Sequence, residues 1–96
     1  MLVIQSVQVQ GVVFTGIEIN LPSTKIFIVS NDVGYIISAS LSLSFFTEDT
    51  YVGGKVTEVD SIDELLEEPL VHITAGADEK GWKLGMLGKD ALAKIS

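Results

Sequence analysis

The stretch SVQVQGVVFTGIEINL, residues 6–21, alternates at period two, with Val7, Val9, Val13, Ile17 and Ile19 recurring among polar neighbours. Alternation of this kind puts successive side chains on opposite faces of a strand, and the β-branched residues favour strand over helix. Gly11 interrupts the pattern. Residues 2–10 and 12–20 are therefore expected as two strands of a hairpin, with Gly11 supplying a backbone geometry that a side chain resists. Pro22, which has no amide hydrogen for a ladder, ends the second strand within LPST.

A second pair follows, KIFIVS and YIISAS, joined by NDVG. Asn31 and Asp32 have side chains suited to bonding the backbone ahead of them, and Gly34 is expected at positive φ where the turn closes. Residues 41–52, LSLSFFTEDTYV, carry strand and helix signals together, and both stay open. GGKVTEVD, residues 53–60, reads as a further strand. The clearest helix is SIDELLEEPL. Ser61 caps it, Glu64 completes a capping box, Ile62, Leu65 and Leu66 form the apolar stripe, and Pro69 stops it. Val71–Ala75 (VHITA) reads as a strand, and GADEKG as a turn or one short helical turn with Gly81 as a left-handed cap. WKLGM is expected extended, with Trp82, Leu84 and Met86 on one side. GKDALAKIS reads as a closing helix with Leu92 and Ile95 inward. The sum is α+β: a single compact domain over residues 1–96, mostly antiparallel β-sheet with two or three short helices packed on one face.

Ninety-six residues leave no room for two independent cores. The chain is 47% hydrophobic and only 20% charged, with mean hydropathy +0.44. A globule this small buries roughly 65% of its unfolded surface, so apolar surface stays outside unless another subunit covers it; a homo-oligomer is expected. Thirteen acids against six basic residues, all lysine, give a net charge of −7. That balance excludes a phosphate-tracking surface and argues against both nucleic acid and anionic membranes as partners. The absence of cysteine excludes thiolate catalysis, disulfides and cysteine metal sites, and agrees with a cytoplasmic protein. MLVIQSVQVQ lacks the basic start of a signal peptide. The apolar run VGYIISASLSLSFF contains four serines and is too short for a spanning helix.

No catalytic signature stands out. GGKV and LGKD lack the rest of a phosphate loop, Gly81, Gly85 and Gly88 do not make GxGxxG, and no Gly-x-Ser-x-Gly elbow exists. His72, the single histidine, lies in a strand pattern where a structural role is the commoner one. Asp60, Asp63, Glu64, Glu67 and Glu68 read as a solvated helix face, and calcium-loop spacing is missing; no metal site is indicated, and any cofactor is unknown. The best candidate ligand site is the turn Asn31, Asp32, Gly34 and Tyr35, which Lys25 and Lys55 join if the fold brings them near. Hairpin chemistry alone also accounts for that turn. Trp82, between glycines, reads as a core or interface anchor.

Three motifs carry a resemblance. NDVGYI supplies Asn31, Asp32, Gly34, Tyr35 and Ile36; SIDELLEEPL supplies Ser61, Ile62, Asp63, Leu65, Leu66, Pro69 and Leu70; GMLGKDALAK supplies Gly85, Met86, Gly88, Ala91, Leu92 and Lys94. Together, over about residues 12–95, the chain resembles the YunC-like family of small prokaryotic proteins, a domain of unknown function. The resemblance implies a compact α+β domain with a largely antiparallel sheet, and no activity. Over residues 41–52 the chain departs from the pattern, in which relatives have a longer, charged helix.

Two functions follow. The first is a non-enzymatic, self-associating module that binds a protein partner or a small ligand. The alternative is a small enzyme whose site forms at a subunit interface around the Asn31–Tyr35 turn, with Asp32 as general base or metal ligand and Lys25, Lys55 or His72 assisting.

Overall fold

In the computed structural model, residues 1–38 and 52–95 are described, and the elements run β1 (Leu2–Val9), β2 (Val12–Asn20), β3 (Lys25–Ser30), β4 (Gly34–Ser38), β5 (Val52–Val56), α1 (Ile62–Glu67), β6 (His72–Ile73), α2 (Ala75–Glu79) and α3 (Gly88–Ala93). The strands form one sheet in the order β1-β2-β3-β4-β5-β6. Every neighbouring pair is antiparallel except β4 and β5, which are parallel. The result is a mixed, mostly antiparallel sheet with three short helices among the described residues, as the α+β expectation required. The undecided segment 41–52 lies outside the described residues up to Tyr51.

The β1–β2 hairpin turns through Gln10 (φ 50°) and Gly11 (φ 82°), both at positive φ. Two such residues match the right-handed twist of the flanking strands, which explains why a two-residue loop suffices. Because Val9 pairs with Val12, the loop reverses the alternation. Val7, Val9 and Phe14 point to one face of the sheet, and Val13, Ile17 and Ile19 to the other.

The first face is the core. Val7, Val9, Phe14, Phe27, Val29, Ile36, Val52 and Val56 from the strands meet Ile62, Leu65, Ala77, Trp82, Ala91 and Leu92 in one buried cluster. Trp82 is completely buried. Its ring lies against β5 at Gly54, where an added Cβ would fall 2.9 Å from the indole. On the opposite face of the same strand the Tyr35 ring lies over Gly53, 2.7 Å from where a Cβ would be. The GG pair thus lets two aromatic rings close on β5 from both sides.

Helix α1 forms as expected, with Ser61 Oγ accepting from Glu64 N at 3.1 Å. The reciprocal bond of the capping box shifts by one residue: Glu64 Oε2 accepts from Asp60 N at 3.1 Å. α3 also forms, and Leu92 and Ile95 are buried.

Four expectations are corrected. Gly34 is not at positive φ; it is buried because β4 runs against β5 there, and a Cβ would sit 2.6 Å from Val52 O. The strand expected over 53–60 ends at Val56. The strand expected over 71–75 shrinks to His72–Ile73: Thr74 N still donates to Gly53 O at 3.0 Å, but its hydroxyl caps α2, accepting from Ala77 N at 3.2 Å, and the chain turns helical from Ala75. WKLGM is not extended with its apolar residues aligned. Gly81 (φ 92°) and Gly85 (φ 88°) bend it, so Trp82 is buried while Leu84 is 64% exposed. Backbone bonds from Gly85 N to Leu70 O and from Leu70 N to Met86 O tie this loop to the segment after α1.

Candidate functional site

The Asn31–Tyr35 turn joins β3 to β4 and is held mainly by one side chain. Asn31 Oδ1 accepts from Val33 N at 2.9 Å and from Gly34 N at 3.0 Å. Its Nδ2 donates to Ile95 O at 2.9 Å, which fixes the turn to the end of the chain's last helical segment. Both polar side-chain atoms of Asn31 are thereby occupied in folding. Asp32 is exposed at the tip, and among the described residues its carboxylate makes no hydrogen bond or ion pair. Gly34 is buried against Val52, and Tyr35 packs on Gly53. Beside the tip lies an open depression of about 440 Å³ with Thr15, Ser30 and Ile95 in its wall.

The assisting residues are elsewhere. Lys25 opens β3, at the opposite end of that strand from the turn. Lys55 pairs with Ile37 and His72 pairs with Lys55, which puts both toward the far, β6 side of the sheet. The structure therefore does not bring Lys25, Lys55 or His72 to Asp32. Among the described residues there is also no group of three or more His, Asp or Glu side chains arranged to hold a metal ion, and no helix is long and apolar enough to cross a membrane.

A second feature is larger, and it went unread in the sequence. On the face of the sheet opposite the core, Ile4, Ile17, Ile28 and Ile37 fall in one register row across β1 to β4, and Leu2, Ile19 and Ile26 fall in the next. Ile17, Ile19, Ile26, Ile28 and Ile37 are half-buried, while Leu2, Ile4 and Val13 are 58%, 65% and 57% exposed. Apolar side chains clustered at this density on an outer face are the usual mark of an interaction surface. The signal was present as isoleucines at period two on both sides of the hairpin. Reading it needed the strand register, which shows that they share a face.

This surface runs out to β1, an edge strand. Between that edge and the helices lie two open depressions of about 350 and 460 Å³, which share Gln8, Asp63 and Leu66. Their charged residues are mostly acidic: Glu18, Asp63, Glu67 and Asp90. Lys89, the cation among them, is tied to Glu67 Oε1 at 2.9 Å. The hydrogen bond that Lys89 donates to Glu67, and then the Glu67 charge, raise the Lys89 pKa above the ordinary lysine value.

Comparison with known proteins agrees with this fold. Residues 40–95 match the family model described as domain of unknown function DUF1805. The uncharacterized protein YunC of Bacillus subtilis (strain 168) is 36% identical over 93 residues, covering 93% of this chain and 92% of that protein. A crystal structure of a protein of unknown function, TA1206 from Thermoplasma acidophilum, superposes with a TM-score of 0.87 at 18% identity, covering 100% of this chain and 94% of that one. At that identity the likeness speaks for the fold alone.

Proposed function

We propose that this chain, which belongs to the DUF1805 family of domains of unknown function, works as a self-associating binding module in the cytoplasm and not as an enzyme. One observation carries the reading: the isoleucine rows on the outer face of the sheet, with Leu2, Ile4 and Val13 each more than half exposed. Burying apolar surface releases roughly 25 cal/mol per Å², and on this face the exposed Leu2 and Ile4 adjoin the half-buried isoleucines of β2 to β4. An acid–base mechanism has less support, since Asp32 stands apart from the lysines and the histidine that were to assist it.

The test is the mass in solution. Light scattering at micromolar concentration is expected to give a discrete oligomer, and a monodisperse monomer overturns the reading.

A small-ligand role at Asn31, Asp32, Gly34 and Tyr35 is the second reading. It is favoured by the depression beside the turn and by the exposed carboxylate of Asp32, which has no partner among the described residues. A ligand at about 100 times its dissociation constant adds roughly 2.7 kcal/mol of stability. A thermal-shift panel of metabolites, nucleotides and divalent metals should therefore give a shift that Asp32→Ala abolishes. No shift from any compound removes this second reading.

A further inference from the structure

The edge of the sheet at β1 has properties that the outer face alone does not explain. The N-terminal ammonium of Met1 donates to Asn20 O at 2.9 Å, and Asn20 N donates to Met1 O at 2.8 Å, so the two residues form a hydrogen-bonded pair. In an antiparallel ladder such pairs alternate along the strands. With the observed register, Val3, Gln5, Val7 and Val9 therefore direct their N–H and C=O groups toward β2. Leu2, Ile4, Ser6 and Gln8 direct theirs outward, to the open edge. These same four residues place their side chains on the apolar outer face. Backbone donors, backbone acceptors and the exposed Leu2 and Ile4 side chains are thus presented together along one line.

Proteins ordinarily blunt such an edge with lysine, proline, a bulge or a very short strand. Here β1 is 8 residues long, its register with β2 runs without a bulge, and it contains neither proline nor any charged side chain. No charged side chain occurs before Glu18, although the whole chain carries −7. β1 itself therefore brings no side-chain charge to a contact, although Glu18, Asp63, Glu67 and Asp90 line the depressions beside it. The depressions beside the strand leave it uncovered by α1.

We infer that β1 pairs antiparallel with β1 of a second copy across a two-fold axis, joining two sheets into one. This rests on the self-association proposed above and specifies its geometry. Parity restricts the register to pairings in which outward-facing residues meet outward-facing residues. The register centred on Gln5 uses all of them, with Leu2 opposite Gln8 of the second copy and Ile4 opposite Ser6. The two-fold axis then stands perpendicular to the sheet, so both helical layers lie on the same side and the two outer isoleucine faces become one surface.

Hydrogen exchange resolved to single amides, read beside the mass by analytical ultracentrifugation, tests this on the full chain. In the oligomer, the amides of Ile4, Ser6 and Gln8 should be protected along with those of Val3, Gln5 and Val7, and dilution should release only the first set. Ser6→Pro removes an outward donor and spares the β1–β2 ladder, so it should give a folded protein with a dissociation constant raised about tenfold or more. Ile4→Lys, at a 65% exposed position, should do the same by placing charge on the edge, and it serves if the proline variant does not fold. An oligomer whose Ile4, Ser6 and Gln8 amides exchange freely, or one that survives Ile4→Lys unchanged, overturns the edge pairing and leaves self-association standing. A monomeric wild type overturns both.

Discussion

Asn31 reaches across 64 residues of sequence to donate from Nδ2 to the carbonyl of Ile95, 2.9 Å away, while its Oδ1 holds the amides of Val33 and Gly34. The two neighbouring residues of the turn therefore have different work. Asn31 is a clasp between a hairpin and the end of the chain's last helical segment, whereas Asp32 faces solvent. Asn31→Ala gives up three hydrogen bonds and leaves Ile95 O without its donor, which should cost about 1–3 kcal/mol. At roughly 4–8 °C per kcal/mol for a domain of this size, the loss is easily read in a thermal melt. Asn31→Asp keeps the acceptor and loses the donor, and should fall between. Asp32→Ala should leave the melting temperature within about 0.5 kcal/mol equivalent of wild type. A large loss from Asp32→Ala alone contradicts this division.

Gly34 supplies the second prediction. Its φ is negative, so any residue fits its backbone conformation, and the restriction comes from β5. A Cβ there meets Val52 O at 2.6 Å and Val52 Cβ at 2.8 Å, and backbone in a parallel ladder has little room to give. Gly34→Ala should destabilise by about 1–3 kcal/mol through overpacking. Gly11→Ala should cost about 1 kcal/mol for a different reason, its φ of +82° with open space around the Cβ. Gly11→Asn should recover part of that loss, because Asn tolerates the left-handed region; Gly34→Asn should recover none. Equal behaviour of the two asparagine variants in denaturant melts rejects the distinction.

Thr74 and Trp82 give a third, paired test of buried polar groups. Thr74 is 1% exposed, and its Oγ1 accepts from Gly53 N at 3.1 Å and from Ala77 N at 3.2 Å. One hydroxyl thus joins β5 to the start of α2. Thr74→Val keeps the shape but strands two buried amides and should cost about 2 kcal/mol or more, while Thr74→Ser keeps the acceptor and should cost less. Trp82 is the opposite case: its Nε1 is buried with no hydrogen-bond partner among the described residues. Removing that polar atom forfeits no bond, so Trp82→Phe should lose only packing and be far milder than Trp82→Ala, which should cost about 3–5 kcal/mol. Near-equal losses for the Phe and Ala variants show that the indole nitrogen is engaged.

Much of the architecture is legible in particular residues. The alternation around Gly11, the Pro22 stop, the Ser61 cap and the inward Leu92 and Ile95 each act locally, and the elements appear where those residues put them. The failures come where a residue's role is set by distant chain. Gly34 looks like a turn glycine, yet the constraint on it is Val52, a neighbour only through the parallel β4–β5 pairing. Thr74 reads as a strand residue until its hydroxyl caps the next helix. Asn31 carries a signal for its own turn and none for Ile95. The outer isoleucine rows and the outward-facing groups of β1 were the least legible of all. Period two says that side chains alternate, but only register decides which residues share a row and which amides are left over.

The distribution of charge gives the last prediction. Each copy carries −7, and Asp63, Glu67 and Glu18 stand beside the β1 edge in the flanking depressions. Two copies brought together there bury uncharged strand while their acids approach one another across the axis. Added salt should therefore strengthen association. The Debye length falls from about 30 Å at 0.01 M to about 10 Å at 0.1 M, which screens the repulsion without weakening backbone pairing or apolar contact. Lowering the pH toward the isoelectric point near 4.4 should act in the same direction, because protonating carboxylates reduces the charge that opposes contact. Sedimentation of the wild type across a salt series should show the dissociation constant falling as ionic strength rises. An interface held by ion pairs gives the reverse slope, and that result would move the contact away from β1 to a surface where Lys25, Lys55 or Lys94 meets an acid of the second copy.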